Sequence, residues 1–208
     1  MTGIIIADPG GQEIFRDIFK GRPIGIEWTD NPAEVDSIKT DFVLDLTFSP
    51  EPGRLQSLRN SEAPLILLNS VGIPLSALDV DERFIRINGW NTFLQRPLAE
   101  VVVPPATLSR AEQFFITWSK PFELLADLPG TPSARIVSMI INEAYLALGE
   151  GVGTRESIDT AMKLGTNYPY GPFEWCRLIG PKIVYNLLEI LQLDNLRYNP
   201  APLLRDEA

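Results

Sequence analysis

The chain has 208 residues with 27 acidic and 18 basic side chains and no histidine, for a formal charge of −9. A composition 45% hydrophobic and 22% charged is that of a globular chain with apolar mass for one large domain or two small ones. The missing histidine excludes Ser-His-Asp and Cys-His catalysis and imidazole metal sites, so no metal is expected, and the acidity without a basic run excludes a nucleic-acid partner.

No apolar run approaches the ~20 residues that cross a bilayer, so no membrane partner is expected. The start Met1-Thr2-Gly3 lacks the basic stretch of a secretory signal, and the single Cys176 has no second thiol to pair with. These features predict a soluble, cytoplasmic protein.

Residues 1–128 alternate short β-rich runs with polar or helical stretches. The predicted strands are Gly3–Ala7, Ile24–Trp28, Phe42–Phe48, Leu65–Asn69, Arg83–Asn88, Leu98–Val103 and Phe122–Ala126, several of them unbroken Ile, Val, Leu and Phe as in strands buried on both faces. Gaps such as 8–23 and 49–64 hold the residues a right-handed parallel crossover needs, whereas 89–97 is too short, which predicts an antiparallel neighbour there. A helix is predicted over Arg110–Ser119, with Ser109 and Glu112 at capping-box spacing. The segment Phe114-Phe115-Ile116-Thr117-Trp118 shows more apolar surface than one face needs.

Past Leu128-Pro129-Gly130 the apolar period becomes helical, so residues 129–208 are predicted to be an all-α module. Ser133 is a candidate cap for a helix with Ile136, Val137, Ile140, Ile141, Ala144 and Leu148 inward, ending at Gly149 or Gly151. Thr154 caps a second, with Ile158, Ala161, Met162 and Leu164 inward and Gly165 as its terminator. Pro172 starts a short third, and a fourth runs from about Pro181 to Leu191.

The helical half resembles the C-terminal domain of the 3-hydroxyacyl-CoA dehydrogenase family. The residues that carry this are Ile158-Asp-Thr-Ala-Met-Lys-Leu-Gly165, Tyr168-Pro-Tyr-Gly-Pro-Phe-Glu174 and Gly180, which keep the spacing of the family's I-D-x-A-M-x-x-G-x-x-Y-P-x-G-P-F-E-x-x-D-x-x-G, with Arg177 in place of the second Asp. Arg197-Tyr-Asn-Pro-Ala-Pro-Leu-Leu204 is similar to its terminal R-Y-x-P-S-P-L-L. Upstream, Ala126-Asp-Leu-Pro-Gly130, Phe42-Val-Leu-Asp-Leu46, Leu65-Ile-Leu-Leu-Asn69 and Leu98-Ala-Glu-Val-Val102 resemble the domain junction and three strands of the cofactor domain. The implied architecture is an α/β Rossmann-like N-terminal domain, pruned between Trp28 and Phe42, over 1–128, followed by a helical domain over 129–208.

The resemblance implies NAD as cofactor, an acyl-CoA substrate and a homodimer through the helical domain. It places the family's glutamate on Glu100 and its basic histidine on Asn88, whose amide has no useful basicity. The family's active-site asparagine falls on Ala134, beside a retained Arg135, and a substrate-contacting serine on Val71. The cofactor turn also departs: instead of G-x-G-x-x-G it is Asp8-Pro9-Gly10-Gly11-Gln12-Glu13, with a proline lacking a donor and two acids that repel phosphate. Gly10 and Gly11 remain as a vestigial turn, and Asp30 is either the ribose-binding acid or a turn residue in Thr29-Asp-Asn-Pro32.

The polar side chains left to line a substrate cleft are Asn69, Asn91 and Arg135. Glu100 reads either as a reused site residue of perturbed pKa or as a rim glutamate paired with Arg96 or Arg135. Tyr168-Pro-Tyr-Gly-Pro reads as a structural turn, Phe173 and Trp175 as core or subunit interface, and Cys176 as a buried bystander. The acids Asp79, Asp81 and Glu82, and Asp41 with Asp45, read as solvated charges. Three functions follow: a catalytically degenerate family member that binds an acyl-CoA-like molecule or a protein partner, an oxidoreductase with a site rebuilt around Glu100, or a purely structural protein.

Overall fold

The computed structural model describes residues 1–208 and divides into two compact units, Met1–Leu128 and Pro129–Ala208. In the first, all seven predicted strands form: β1 (Thr2–Ile6), β2 (Gly25–Thr29), β3 (Phe42–Asp45), β4 (Ile66–Leu68), β5 (Phe84–Ile87), β6 (Ala99–Val102) and β7 (Phe122–Leu124). They make one sheet of order β2-β1-β3-β4-β5-β6-β7, parallel except at β5 and β6. The antiparallel pair lies where the connection is too short for a crossover.

The order reverses between β1 and β3, the switch point of a Rossmann-like sheet, but nothing lies outside β2. The stretch between β2 and β3 holds only a 3₁₀ turn at Pro32–Val35, too little for another strand and helix. This is the pruned α/β architecture expected.

Helices cover both faces because the central strands are apolar on both. On one side α1 (Pro9–Phe15) with the 3₁₀ turn Arg16–Phe19, and α3 (Leu108–Trp118), bring Phe15, Phe19, Phe114, Phe115 and Trp118 onto Ile5, Phe42 and Leu44. On the other, α2 (Pro52–Asn60) lays Leu55 and Leu58 against Ile4, Val43 and Ile66. Gly3 is fixed by this packing: a Cβ there would fall 2.2 Å from the Phe42 ring. The surplus aromatic surface expected on α3 is core, leaving Ile116 exposed. Its cap is Thr107 rather than Ser109, without a side-chain hydrogen bond, and Ser119 ends it at φ 55°.

One charged group organises the loops beyond β4, β5 and β7. Arg86 is 2% exposed; its guanidinium donates to the Ser70 and Val71 carbonyls at 2.7 and 2.8 Å and to Asp127 at 2.7 Å. Asp127 in turn accepts the backbone N–H groups of Leu75 and Ser76 at 2.9 and 2.8 Å.

The second unit comprises α4 (Pro132–Gly149), α5 (Arg155–Thr166), α6 (Pro172–Ile179), α7 (Pro181–Gln192) and α8 (Pro202–Glu207). Thr131, not Ser133, is the cap residue of α4, and Ile136 faces solvent at 61% exposure instead of joining the core. Thr154 caps α5 as expected, accepting from the Ser157 N–H at 3.2 Å. The predicted inward stripe of α5 is wrong: its only buried residue is Asp159, Leu164 is 83% exposed, and the helix ends at left-handed Asn167, past Gly165.

Burial pushes the Asp127 carboxyl up, but the Ser76 and Leu75 amides and Arg86 outweigh it and hold it below the ordinary carboxylate range. Its contribution is therefore complete above the unfolded value near ~3.9 and lost as pH falls through the lower folded value. Asp127→Asn is expected to lower stability in urea by about 1–3 kcal/mol at pH 7. The deficit should vanish in strong acid, where the wild-type carboxyl is itself protonated.

Candidate functional site

Asn88 and Glu100 are brought together by the antiparallel pairing of β5 with β6. The Asn88 backbone N–H donates to the Glu100 carbonyl at 3.0 Å, and its side-chain Nδ2 donates to Glu100 Oε2 at 3.0 Å across a separation of 12 residues. Asn88 Oδ1 accepts the Trp90 N–H at 3.3 Å, and the residue is 3% exposed. Asn88 thus hydrogen-bonds the Glu100 carboxylate through an amide with no lone pair of useful basicity.

Asn69, beyond the end of β4, ties three strand ends together. Its Oδ1 accepts the Gly89 N–H at 3.0 Å, and its Nδ2 donates to the Leu46 carbonyl at 2.9 Å. A Cβ on Gly89 would come within 2.9 Å of the Asn69 amide carbon, so glycine is required beside Asn88. Asn69, read from the sequence as a ligand contact, spends both its donor and its acceptor on backbone. Local sequence carries no sign of this, because Asn69 and Gly89 meet only through strand order. Val71 lies in the loop whose carbonyl Arg86 grips, and Asn91 is half-buried in the turn after Asn88.

Arg135 in the first turn of α4 braces the turn before it and also lines the groove beside α4 and α5. Its Nε and Nη2 donate to the Pro129 carbonyl at 2.9 and 2.6 Å, and Nε also reaches the Gly130 carbonyl at 3.2 Å. Gly130 has φ 73° and closes this turn. Ala134 is fully buried and offers only a methyl group.

At the switch point, Gly10 and Gly11 are helical, not a loop, and Asp8 is the cap of α1. Its Oδ1 accepts the Gly11 N–H at 2.6 Å, while the Gln12 N–H is already bonded to the Asp8 carbonyl at 2.8 Å and Pro9 has no N–H. The Gly11 N–H, a donor of the kind a pyrophosphate would use, is taken by the chain's own carboxylate, whose charge opposes a phosphate. These residues do not fit the dinucleotide. Asp30 is exposed at the turn after β2.

Nearby, Asp45 at the end of β3 is fully buried, contrary to its reading as a solvated acid. Arg54 of α2 reaches back to it with Nε and Nη2 at 2.6 and 2.5 Å and to Thr47 at 2.7 Å. Burial raises the Asp45 carboxyl, against the pull of Arg54. Asp79 and Asp81 do sit in ion pairs at the surface, with Arg59 and Arg83, and Asp41 accepts the Thr2 N–H at 2.7 Å.

In the helical unit the family motif is structural. Asp159 accepts the N–H groups of Phe173 and Glu174 at 2.8 and 3.2 Å, capping α6 from α5, and Glu174 accepts the Gly171 N–H at 2.9 Å. A Cβ on Gly171 would lie 2.3 Å from the Asp159 carboxyl carbon. Tyr168 and Tyr170 pack on Trp175, as expected of a turn. Cys176 is buried 3.6 Å from the Tyr145 hydroxyl, its thiol pushed up by burial.

A mostly parallel sheet with a nucleotide-type switch point is thus followed in the chain by a helical unit. The family model described as 3-hydroxyacyl-CoA dehydrogenase, C-terminal domain, matches residues 132–207. The 3-hydroxyadipyl-CoA dehydrogenase of Escherichia coli is 43% identical over 112 residues, 53% of this chain and 24% of that protein. The 3-hydroxybutyryl-CoA dehydrogenase of Clostridioides difficile is 38% identical over 187 residues, 82% of this chain and 64% of that protein. A crystal structure of (S)-3-hydroxybutyryl-CoA dehydrogenase from Ralstonia eutropha superposes with a TM-score of 0.73 at 21% identity, covering 99% of this chain and 92% of that one, a likeness of fold. The helical unit belongs to the 3-hydroxyacyl-CoA dehydrogenase C-terminal domain family, and the chain spans less than two thirds of the length of these curated relatives.

Asn69→Ala leaves the Leu46 carbonyl without its amide donor and the Gly89 N–H with only the Ile87 carbonyl at 3.1 Å. A loss of about 1–3 kcal/mol in urea unfolding is expected. An unchanged midpoint would show that water replaces the amide.

Proposed function

We propose that this protein is a member of the family without dehydrogenase turnover, which serves acyl-CoA metabolism by binding an acyl-CoA-like molecule. The observation that carries the reading is Asn88, hydrogen-bonded to Glu100 at the place where the family resemblance puts its base. A general base contributes about 10²–10⁴-fold to such a step. The Asn88 amide proton is donated to one oxygen of Glu100, so the pair lacks the imidazole through which the family's glutamate acts. The Asp8 cap supports the same reading, because it occupies the donor on which a dinucleotide phosphate would rest.

The relatives' names supply the ligand class, since they act on 3-hydroxybutyryl-CoA and 3-hydroxyadipyl-CoA. No NADH-dependent reduction of 3-ketobutyryl-CoA is expected, and calorimetric titration with NAD and NADH should be flat. Asn88→His should stay inactive, because the Asp8 cap remains. Turnover at ordinary enzyme rates would instead establish a site rebuilt around Glu100. A CoA ester should raise the melting temperature; no shift with any ester would favour a protein partner as the ligand.

The same reading includes a homodimer through the helical unit. Ile136, Met139 and Ile140 of α4 and Ile158 and Met162 of α5 line an open apolar groove of about 630 Å³. With Leu164 also exposed, the face that α5 turns outward is apolar and suits a second copy. Sedimentation equilibrium should give twice the chain mass, and Ile136→Asp should shift it to monomer. A monomer for the wild type at every concentration would remove this part.

A further inference from the structure

Lys120 stands apart from the other four lysines. Lys20 and Lys163 pair with Asp17 and Glu174, and Lys39 and Lys182 are exposed. Lys120 is half-buried and has no carboxylate partner; its Nζ donates to the Leu94 carbonyl at 2.7 Å and to the Arg96 carbonyl. These two acceptors hold the nitrogen in place and leave one of its three polar positions. Trp118, whose indole N–H donates to the Ile18 carbonyl at 2.8 Å, presents its ring 5.5 Å from the same nitrogen.

Lys120 lines a cavity of about 500 Å³ between α1 with its 3₁₀ extension, the 94–97 turn and the 119–121 turn. Its walls are mixed: Ile14, Ile18 and Pro97 are apolar, and Arg22 and Arg96 add positive charge in a chain that is otherwise strongly acidic. The other titratable group facing the cavity is Asp17, which sits 3.4 Å from Lys20. Burial brings the Lys120 ammonium down to about 8.

We propose that Lys120 is a reactive amine, selectively acylated at Nζ by thioesters that enter this cavity, with Arg22 and Arg96 attracting the anionic portion of the reagent. The neutral amine attacks the thioester carbonyl, a C–N bond forms and the C–S bond breaks. The sulfur leaves as thiolate and takes up the proton shed by nitrogen. The products are an amide and a free thiol, with no oxidant or reductant required. Acylation removes the positive charge and a donor from the turn that holds residues 94–96. The inference rests on the acyl-CoA reading only for the natural source of the thioester.

At pH 7.5 an amine titrating at about 8 is neutral for about one quarter of the time, against about one part in a thousand for an ordinary lysine. Its lower basicity gives back part of that advantage, leaving about a tenfold gain in rate, with the nucleophilicity dependence taken to resemble that of thiols. The full chain is incubated separately with acetyl-CoA and with the neutral thioester S-acetyl-N-acetylcysteamine, and acetylation is mapped by peptide mass spectrometry.

Lys120 is expected to react about tenfold faster than Lys39 and Lys182 with the neutral reagent, and faster still with acetyl-CoA. Its rate should level off above about pH 8 while theirs keep rising. Lys120→Arg should remove the fast phase in intact-mass measurements. Equal or slower labelling of wild-type Lys120 with both reagents would overturn the proposal and leave it a lysine that braces a turn. Fast labelling by the neutral thioester without any thermal shift by CoA esters would sink the acyl-CoA reading while the reactive lysine stands.

Discussion

Arg86 is the group on which the loops beyond β4, β5 and β7 depend. A guanidinium taken out of water costs several kcal/mol unless its donors are met, and here they are met by carbonyls and a carboxylate from separate loops. The charge therefore acts as a template: Ser70, Val71 and Asp127 must converge on it, and Asp127 then fixes the Leu75 turn. The loops after β4 and β7 are consequently set by the strand that lies between their origins. Asn69 does the same in neutral form for the ends of β3, β4 and β5.

Around this frame the polar groups at the strand ends are spent on contacts within the chain. Asn88 gives its amide proton to Glu100 and its oxygen to the Trp90 backbone, so its side chain closes a local network. Asp8 ends a helix by satisfying the Gly11 N–H, the kind of donor that an anion would otherwise meet. Asp45 and Arg54 form a buried pair beside it.

The helical unit shows the opposite economy of surface. Its polar motif residues look inward: Asp159 caps α6, and Asn142 bonds the Asn199 carbonyl and the Ala201 N–H at 3.0 and 2.7 Å, pinning the C-terminal segment. Tyr145, Arg155 and Glu207 join α4, α5 and α8 through a phenol, a guanidinium and a carboxylate. Apolar side chains of α4 and α5 meanwhile line an open groove. That inversion explains why apolar period alone misassigned the inner face of α5.

Strand positions, the antiparallel turn of β6, the pruning after β2 and the helical second half were all legible in the sequence, because unbroken β-branched runs and a period of 3.6 are local properties. The motif of the helical half was legible too. What local pattern did not determine was the use of each polar group. Asp45 looked like one acid among many until α2 brought Arg54 to it, and the bracing of the Pro129 carbonyl by Arg135 shows only once its turn has folded back. Lys120 has no sequence signature at all. Its surroundings are carbonyls and an indole from other parts of the chain, and burial and hydrogen bonding among residues distant in sequence exist only once the sheet is assembled.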